Sequence, residues 1–261
     1  MKSYLKINWL FAFQIFTHLS VILMLIYGTP IHYLYTWIVF FFTGALGMSG
    51  TYHRLLSHKS YEPPKWWIYL GTLFGTLGGT GSSIAWCAVH REHHRFTDTE
   101  KDPHSPHHHG FWRVQFLSMF HNPHVKYVPD LLRSSFHINM HKYYWLIHAF
   151  YALALYTIDP FALVYAWLFP SFILWHAGSS INTWSHAIGW QNHDSNDTST
   201  NHWLTGIFVW GEGWHNNHHN SPQNYRFGEK WYQLDVTARI IELLGFKPRH
   251  LENSKTGTLS N

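Results

Sequence analysis

Eight of the 24 histidines in this 261-residue chain fall in three short runs. They are His53-Arg-Leu-Leu-Ser-His58, His90-Arg-Glu-His93-His94 and His215-Asn-Asn-His218-His219. Imidazole nitrogen suits iron, zinc, copper and nickel. The last two runs share the pattern HxxHH. Positions i, i+3 and i+4 lie on one face of an α-helix, so each run presents three imidazoles to one side. His53 and His58 are five apart, about 140° around an α-helix. They converge only if the helix ends or kinks between them. Gathering eight imidazoles without a cation would leave buried polar atoms unpaired, at a cost in free energy. The runs therefore read as metal ligands. A zinc site needs about four ligands, so eight or nine histidines are too many for one ion and suit two. Two nitrogen-ligated metals with open positions suggest redox chemistry with oxygen.

The other histidines read as ordinary polar residues. His18, His32 and His148 lie in or beside apolar segments. His107, His108 and His109 form a run in a Pro-rich loop without helical spacing.

The elements that must position the clusters are apolar. Hydrophobic residues make up 46% of the chain, aromatics 19% and charged residues 12%, against about 25% charged in average soluble domains. With 15 Trp and 15 Tyr, which favour the membrane interface, the composition indicates a chain partly in lipid. The net charge of +4 is modest. Lys2, Lys6, Arg54, Lys59, Arg91 and Arg95 fit anionic headgroups, a negatively charged substrate head or a solvated face equally well, and no basic run points to nucleic acid. Cys87 is the single cysteine. No intramolecular disulfide can form, and no iron–sulfur cluster can be built within the chain. Electrons must come from another protein.

Apolar length predicts four membrane spans at about 8–28, 33–52, 143–158 and 160–180, in two hairpins broken at Gly28-Thr29-Pro30 and Asp159-Pro160. The first is read as a span rather than a signal peptide, because no small-x-small cleavage site follows it. Segment 66–89 is also long enough to cross. Crossing would put His90 on the side opposite His53 and His58, and its glycines argue against a straight span. It is predicted to lie along the interface or to re-enter. Both termini and all three clusters then share one side, which the Lys and Arg distribution makes cytoplasmic. The expected architecture is all-α integral membrane: four transmembrane helices and a cytoplasmic helical cap holding the metals. Residues 1–252 form one domain, with a disordered tail at 253–261. Segment 203–210 is too short to span. Helical spacing of Trp231, Leu234, Ala238, Ile241 and Leu244 predicts a helix over 230–244. Asn182 and His186 share a helical face at the membrane–cap boundary, a spacing that fits a metal site or a packing pair.

HRLLSH, HREHHRFTDTEKDPHSP and GEGWHNNHH, in this order, resemble the membrane-bound fatty-acyl desaturases, and most closely the Δ9 (stearoyl-CoA or acyl-CoA) type, over roughly residues 33–246. NTWSH matches that family's extra Asn-x-x-x-His element. The resemblance implies a di-iron centre (Fe2+/Fe3+) ligated by His53, His58, His90, His93, His94, His186, His215, His218 and His219, with Asn182 reaching a metal through water. It implies O2 as co-substrate and a cis double bond, at Δ9, placed in a saturated acyl-CoA or acyl-lipid. The electron donor would be a separate cytochrome b5, ferredoxin or rubredoxin. No clear basic pair follows the second run to grip coenzyme A phosphates, so both substrate forms stay open. The acyl tunnel would run from the metals into the hairpins, past Phe41, Ala45 and Ser49.

Three rivals exist. A related di-iron hydroxylase uses similar clusters. A histidine-rich metal transporter would need ionisable residues within its spans, which here offer little beyond His18 and His148. A membrane zinc hydrolase would need Glu92 as general base and leaves the other clusters unexplained.

Overall fold

The computed structural model describes residues 7–117, 121–122 and 124–249. The expected tail at 253–261 lies outside them. The described chain is mostly helical, with one small antiparallel pair, β1 (Tyr61–Glu62) and β2 (Lys247–Pro248).

Helix α1 (Ile7–Tyr27) and a continuous helix Pro30–Ser57 are each long and apolar enough to cross a membrane. Pro30 starts the second one, its fixed φ suiting the first helical turn. This helix changes pitch along its length. Its first part, α2 (Pro30–Phe40), is α-helical, and the following 17 residues, Phe41–Ser57, form a π-helix with i→i+5 hydrogen bonds. Such stretches are rare and favour functional sites.

Segment 66–89 is not one helix. It forms α3 (Lys65–Leu77) and α4 (Ser83–Phe96), separated by a turn in which Gly79 and Gly81 take φ of +77° and +114°, a region open to glycine. Ser82 caps α4 by accepting from the Ala85 N–H. Helix α3 packs closely on the π-helix, and the packing relies on missing side chains. A Cβ on Gly47 would stand 2.4 Å from the Gly75 nitrogen, and one on Gly75 would meet the Tyr52 ring.

After two short helices, α5 (Pro106–His109) and α6 (Phe111–Leu117), come α7 (Ser135–Lys142) and the apolar α8 (Tyr144–Ile158). Asp159 ends α8 and accepts from the Phe161 N–H. A π-helical turn, Val164–Leu168, leads into α9 (Phe169–Trp184), which packs along α1 and α6. The remaining elements are α10 (Trp203–Phe208), α11 (His215–Asn220) and α12 (Val236–Leu243).

The helix expected over 230–244 begins later. Asp235 caps it through the Ala238 N–H, leaving Trp231 96% exposed and outside it. Spacing alone gave no weight to the aspartate, whose short side chain ends the turn and starts the helix.

Candidate metal centre

Two groups of histidine nitrogens converge between the π-helix, α4, α9 and α11. His53, His58, His90, His94 and His218 form one, and His93, His186, His215 and His219 the other, with ligand atoms in each group within 4.8 Å of one another. All nine histidines of the expected set are there. His94 and His219, one from each group, lie with ring centroids 4.6 Å apart, so the two groups adjoin.

Helix pitch brings the first pair together. The His58 N–H donates to the His53 carbonyl at 3.2 Å, an i→i+5 bond, and the two rings stand 5.0 Å apart. No kink between them is required, because the wider helix returns to the same face after five residues. The α-helical α4 and α11 do the same for HxxHH at intervals of three and four. Helix α11 has six residues, too few to be stable alone. The two asparagines between its histidines hold it. Asn217 accepts from the side chains of Asn192 and Asn201 and donates to the Phe227 carbonyl, and Asn216 accepts from the backbone of Asn192 and His193.

A shell of carboxylates stands behind the imidazoles. Glu212 accepts from Nδ1–H of His53, Asp102 from His93 at 2.8 Å and Asp197 from His219 at 2.8 Å. Asp98 lies 3.4 Å from His186 Nδ1. A proton committed to Nδ1 leaves the Nε2 lone pair facing the centre, the usual second-shell arrangement of a metal-ligating histidine. Burial opposes charge on these carboxylates, but their partners outweigh it. His53 and Arg54 hold Glu212 down to about 2, and His93 holds Asp102 down to about 2. Burial first, and neighbouring imidazoles second, keep His58, His90, His94, His215 and His218 well below the usual histidine range. These five are therefore neutral imidazoles, the form that binds metal.

The geometry fits a cation. His53 Nε2 stands 3.1 Å from His218 Nε2, His58 Nε2 2.7 Å from His90 Nε2, and His215 Nε2 3.1 Å from His219 Nε2. Glu212 and Asp197 hold the Nδ1 protons of His53 and His219, so the Nε2 of each turns a lone pair to its neighbour. His93 Nε2 and His186 Nε2 are buried without any partner. Such groups are costly unless a positive ion lies between them. Nitrogen-only donors suit a borderline transition metal.

Arg54 ties the first histidine run to the third. Fully buried, it donates to Glu212 and Asp235 and lies 3.9 Å over the Phe227 ring, which packs on His218. Trp86 stacks on His90, with centroids 5.0 Å apart and planes 13° from parallel.

The remaining expected residues are placed as follows. Asn182 is half-buried on α9, one turn before His186. Phe41 is partly buried beside Phe42, and Ala45 is fully buried. The Ser49 hydroxyl is engaged with Glu212 and Thr237. His107, His108 and His109 bind the carbonyls of His186, Asp98 and Asp102 and so brace the second run. Glu92 pairs with His121 at 3.0 Å and belongs to neither histidine group, so it does not stand as the general base of a zinc hydrolase. The four carboxylates were not singled out from the sequence, although Asp98 and Asp102 lie four and eight residues after His94, and Glu212 three before His215.

The sequence matches the fatty acid desaturase family over residues 8–246. It is 38% identical over 211 residues to the sn-2 palmitoyl-lipid 9-desaturase of Nostoc sp. (strain 36), covering 77% of this chain and 74% of that protein. It is 34% identical to the sn-1 stearoyl-lipid 9-desaturase of Anabaena variabilis, covering 79% and 78%. It is also 34% identical to the Delta-9 acyl-lipid desaturase 1 of Arabidopsis thaliana, covering 80% and 72%. With its histidine groups and the match across nearly its whole length, the chain belongs to the fatty acid desaturase family of oxidoreductases.

Proposed function

We propose that this enzyme introduces a cis double bond at Δ9 of a saturated acyl-lipid, with O2 as co-substrate and two irons held by the nine histidines. The observation that carries this reading is the pair of buried histidine groups, five and four strong, facing one another with carboxylates behind them. The three relatives above are named as desaturases of lipid-linked acyl chains, which favours that form over acyl-CoA. Asn182 would reach a metal through a water molecule.

The overall reaction takes a saturated chain, O2, two electrons and two protons to an unsaturated chain and two waters. When bound, the irons supply the oxygen activation that an unactivated C–H bond demands. The protein does the rest. Glu212, Asp102, Asp98 and Asp197 fix the imidazoles in one tautomer and orientation. Trp86, Tyr52 and Phe227 surround the first group with rings and keep water out. Phe41, Ala45 and Ser49 mark the wall along which the acyl chain descends from the metals. The donor is a separate protein (cytochrome b5, ferredoxin or rubredoxin), since the chain has one cysteine, buried at position 87.

The membrane arrangement proposed is four spans, formed by α1, Pro30–Ser57, α8 and the helix ending at Trp184, with the α3–α4 pair re-entrant. The centre and both termini then face the cytoplasm, and residues 1–252 act as one domain. Exposed apolar side chains support it: Leu25 is 75% and Ile158 81% exposed, costly in water and favourable in lipid.

The test is the fatty acid profile of a host lacking its own desaturase and expressing the wild type or His94→Ala. New monounsaturated acids with the wild type only are expected, the bond position fixing the regiochemistry. Hydroxylated products would favour the hydroxylase. Absence of any product from folded, iron-loaded protein given several donors would overturn the reading.

A further inference from the structure

We propose that the cleft lined by His58 is the docking site of an acidic one-electron carrier protein. The proposal rests on the desaturase reading above, in which electrons enter from outside the chain.

A cleft of about 860 Å³ lies where the flanks of the three histidine runs meet. Ser57–Ser60 come from the first run, Arg91 from the second and Asn220–Tyr225 from just beyond the third, while Pro248 and Arg249 close one side. Its wall is fixed by the β1–β2 pair and by the Arg249 N–H donating to the Ser60 carbonyl at 3.1 Å. Most of the nine histidines are buried. His58 is half-buried and forms part of the lining, so the cleft adjoins a member of the five-histidine group. The second large cleft, lined by Glu92, Arg113 and Lys126 among others, reaches Asp102 but none of the nine.

The lining carries Lys59, Arg91 and Arg249 and no carboxylate side chain among the described residues. Lys59 is held outward by a left-handed backbone, φ +55°, with its side chain half exposed. Asp130 pairs with Lys59 at 3.1 Å and with Arg91 at 2.7 Å, and Glu62 stands 3.7 Å from Arg249, so three cations meet two carboxylates and the rim keeps one net positive charge. Cations around a polar recess steer an acidic surface and set the rate of encounter. A protein carrier is favoured over a lipid headgroup because the recess opens on a ligand of the redox group, where an electron must arrive.

The test measures binding of three soluble carriers (a [2Fe–2S] ferredoxin, the haem domain of cytochrome b5, and rubredoxin) to the full chain in nanodiscs. Variants are Lys59→Glu/Arg249→Glu, the neutral Lys59→Gln/Arg249→Gln, and Lys126→Glu in the other cleft as control. Iron content and melting temperature report folding. At least one acidic carrier is expected to bind the wild type, with an affinity that falls as salt rises. Charge reversal should weaken it about tenfold or more, neutralisation less, and Lys126→Glu less than about twofold. No binding by any carrier, equal binding by the cleft variants, or equal loss with Lys126→Glu would overturn the proposal. So would loss of phosphatidylglycerol-vesicle binding in the cleft variants with carrier binding intact, which would assign the cleft to lipid headgroups. Monounsaturated products from the wild type in cells, alongside any of those results, would leave the desaturase reading standing.

Discussion

His53 and Glu212, 159 residues apart, share a buried hydrogen bond, and the same carboxylate receives Arg54 and Ser49. One residue thus orients a ligand of the first run and neutralises the cation beside it. Glu212→Gln should lower iron affinity at the five-histidine group about 10–100-fold, read as iron retained against a chelator series. Arg54→Met removes the cation that Glu212 and Asp235 share, and should destabilise the fold by ~3–5 kcal/mol, seen as a lower melting temperature even without metal.

The contact between the π-helix and α3 depends on Gly47, whose added Cβ would lie 2.6 Å from the Phe74 carbonyl carbon as well as against Gly75. Both neighbours are backbone and cannot yield separately. Gly47→Ala should cost about 1–3 kcal/mol, measured by thermal unfolding in detergent, with a matching loss of bound iron.

Iron uptake should release few protons. Nine free imidazoles at pH 6.5 would be about half protonated, but those of the centre for which a direction is resolved are held well below that range. Calorimetric titration of apoprotein with Fe2+ in buffers of different ionisation enthalpy should give fewer than about one proton per iron at pH 6.5. Four or more would show that the site is exposed and charged before metal arrives.

Asp130 bridges Arg91 and Lys59, and these cations hold its carboxyl below the usual range despite partial burial. A carboxylate lowered in the folded state adds stability above its unfolded pKa of ~3.9 and loses it as pH falls below. Asp130→Asn should therefore melt below wild type at pH 6, with the gap beginning to narrow below about pH 4 and most of it still present at pH 3. A gap constant with pH would mean that the pairing contributes through shape and not charge.

Phe41 sits at the head of the π-helix, where the proposed acyl channel would end. Phe41→Ala should shift the products towards longer chains, scored by gas chromatography of total lipids. An unchanged profile would place the channel elsewhere.

Much of the centre was legible because HxxHH encodes a helical face directly, and α4 and α11 use it. The carboxylate shell was not. Asp98 and Asp197 sit in loops whose folding back no periodicity records, and Glu212 reaches His53 only through tertiary packing. The first two apolar helices were also plain, since length and hydrophobicity are local properties. The start of α12 was missed because spacing continued upstream of the Asp235 cap.

The change from α to π pitch after Phe40 has a consequence for recognising such centres elsewhere. A five-residue interval between histidines usually counts against a shared ligand face. Here the interval reports the gauge of the helix that carries it. Removing one residue between His53 and His58 would restore α-helical spacing on paper and, on this wider coil, break the i→i+5 bond that joins the two residues. Spacing and pitch are a single inherited unit, so a graft of the first run into another bundle must carry the seventeen-residue coil with it.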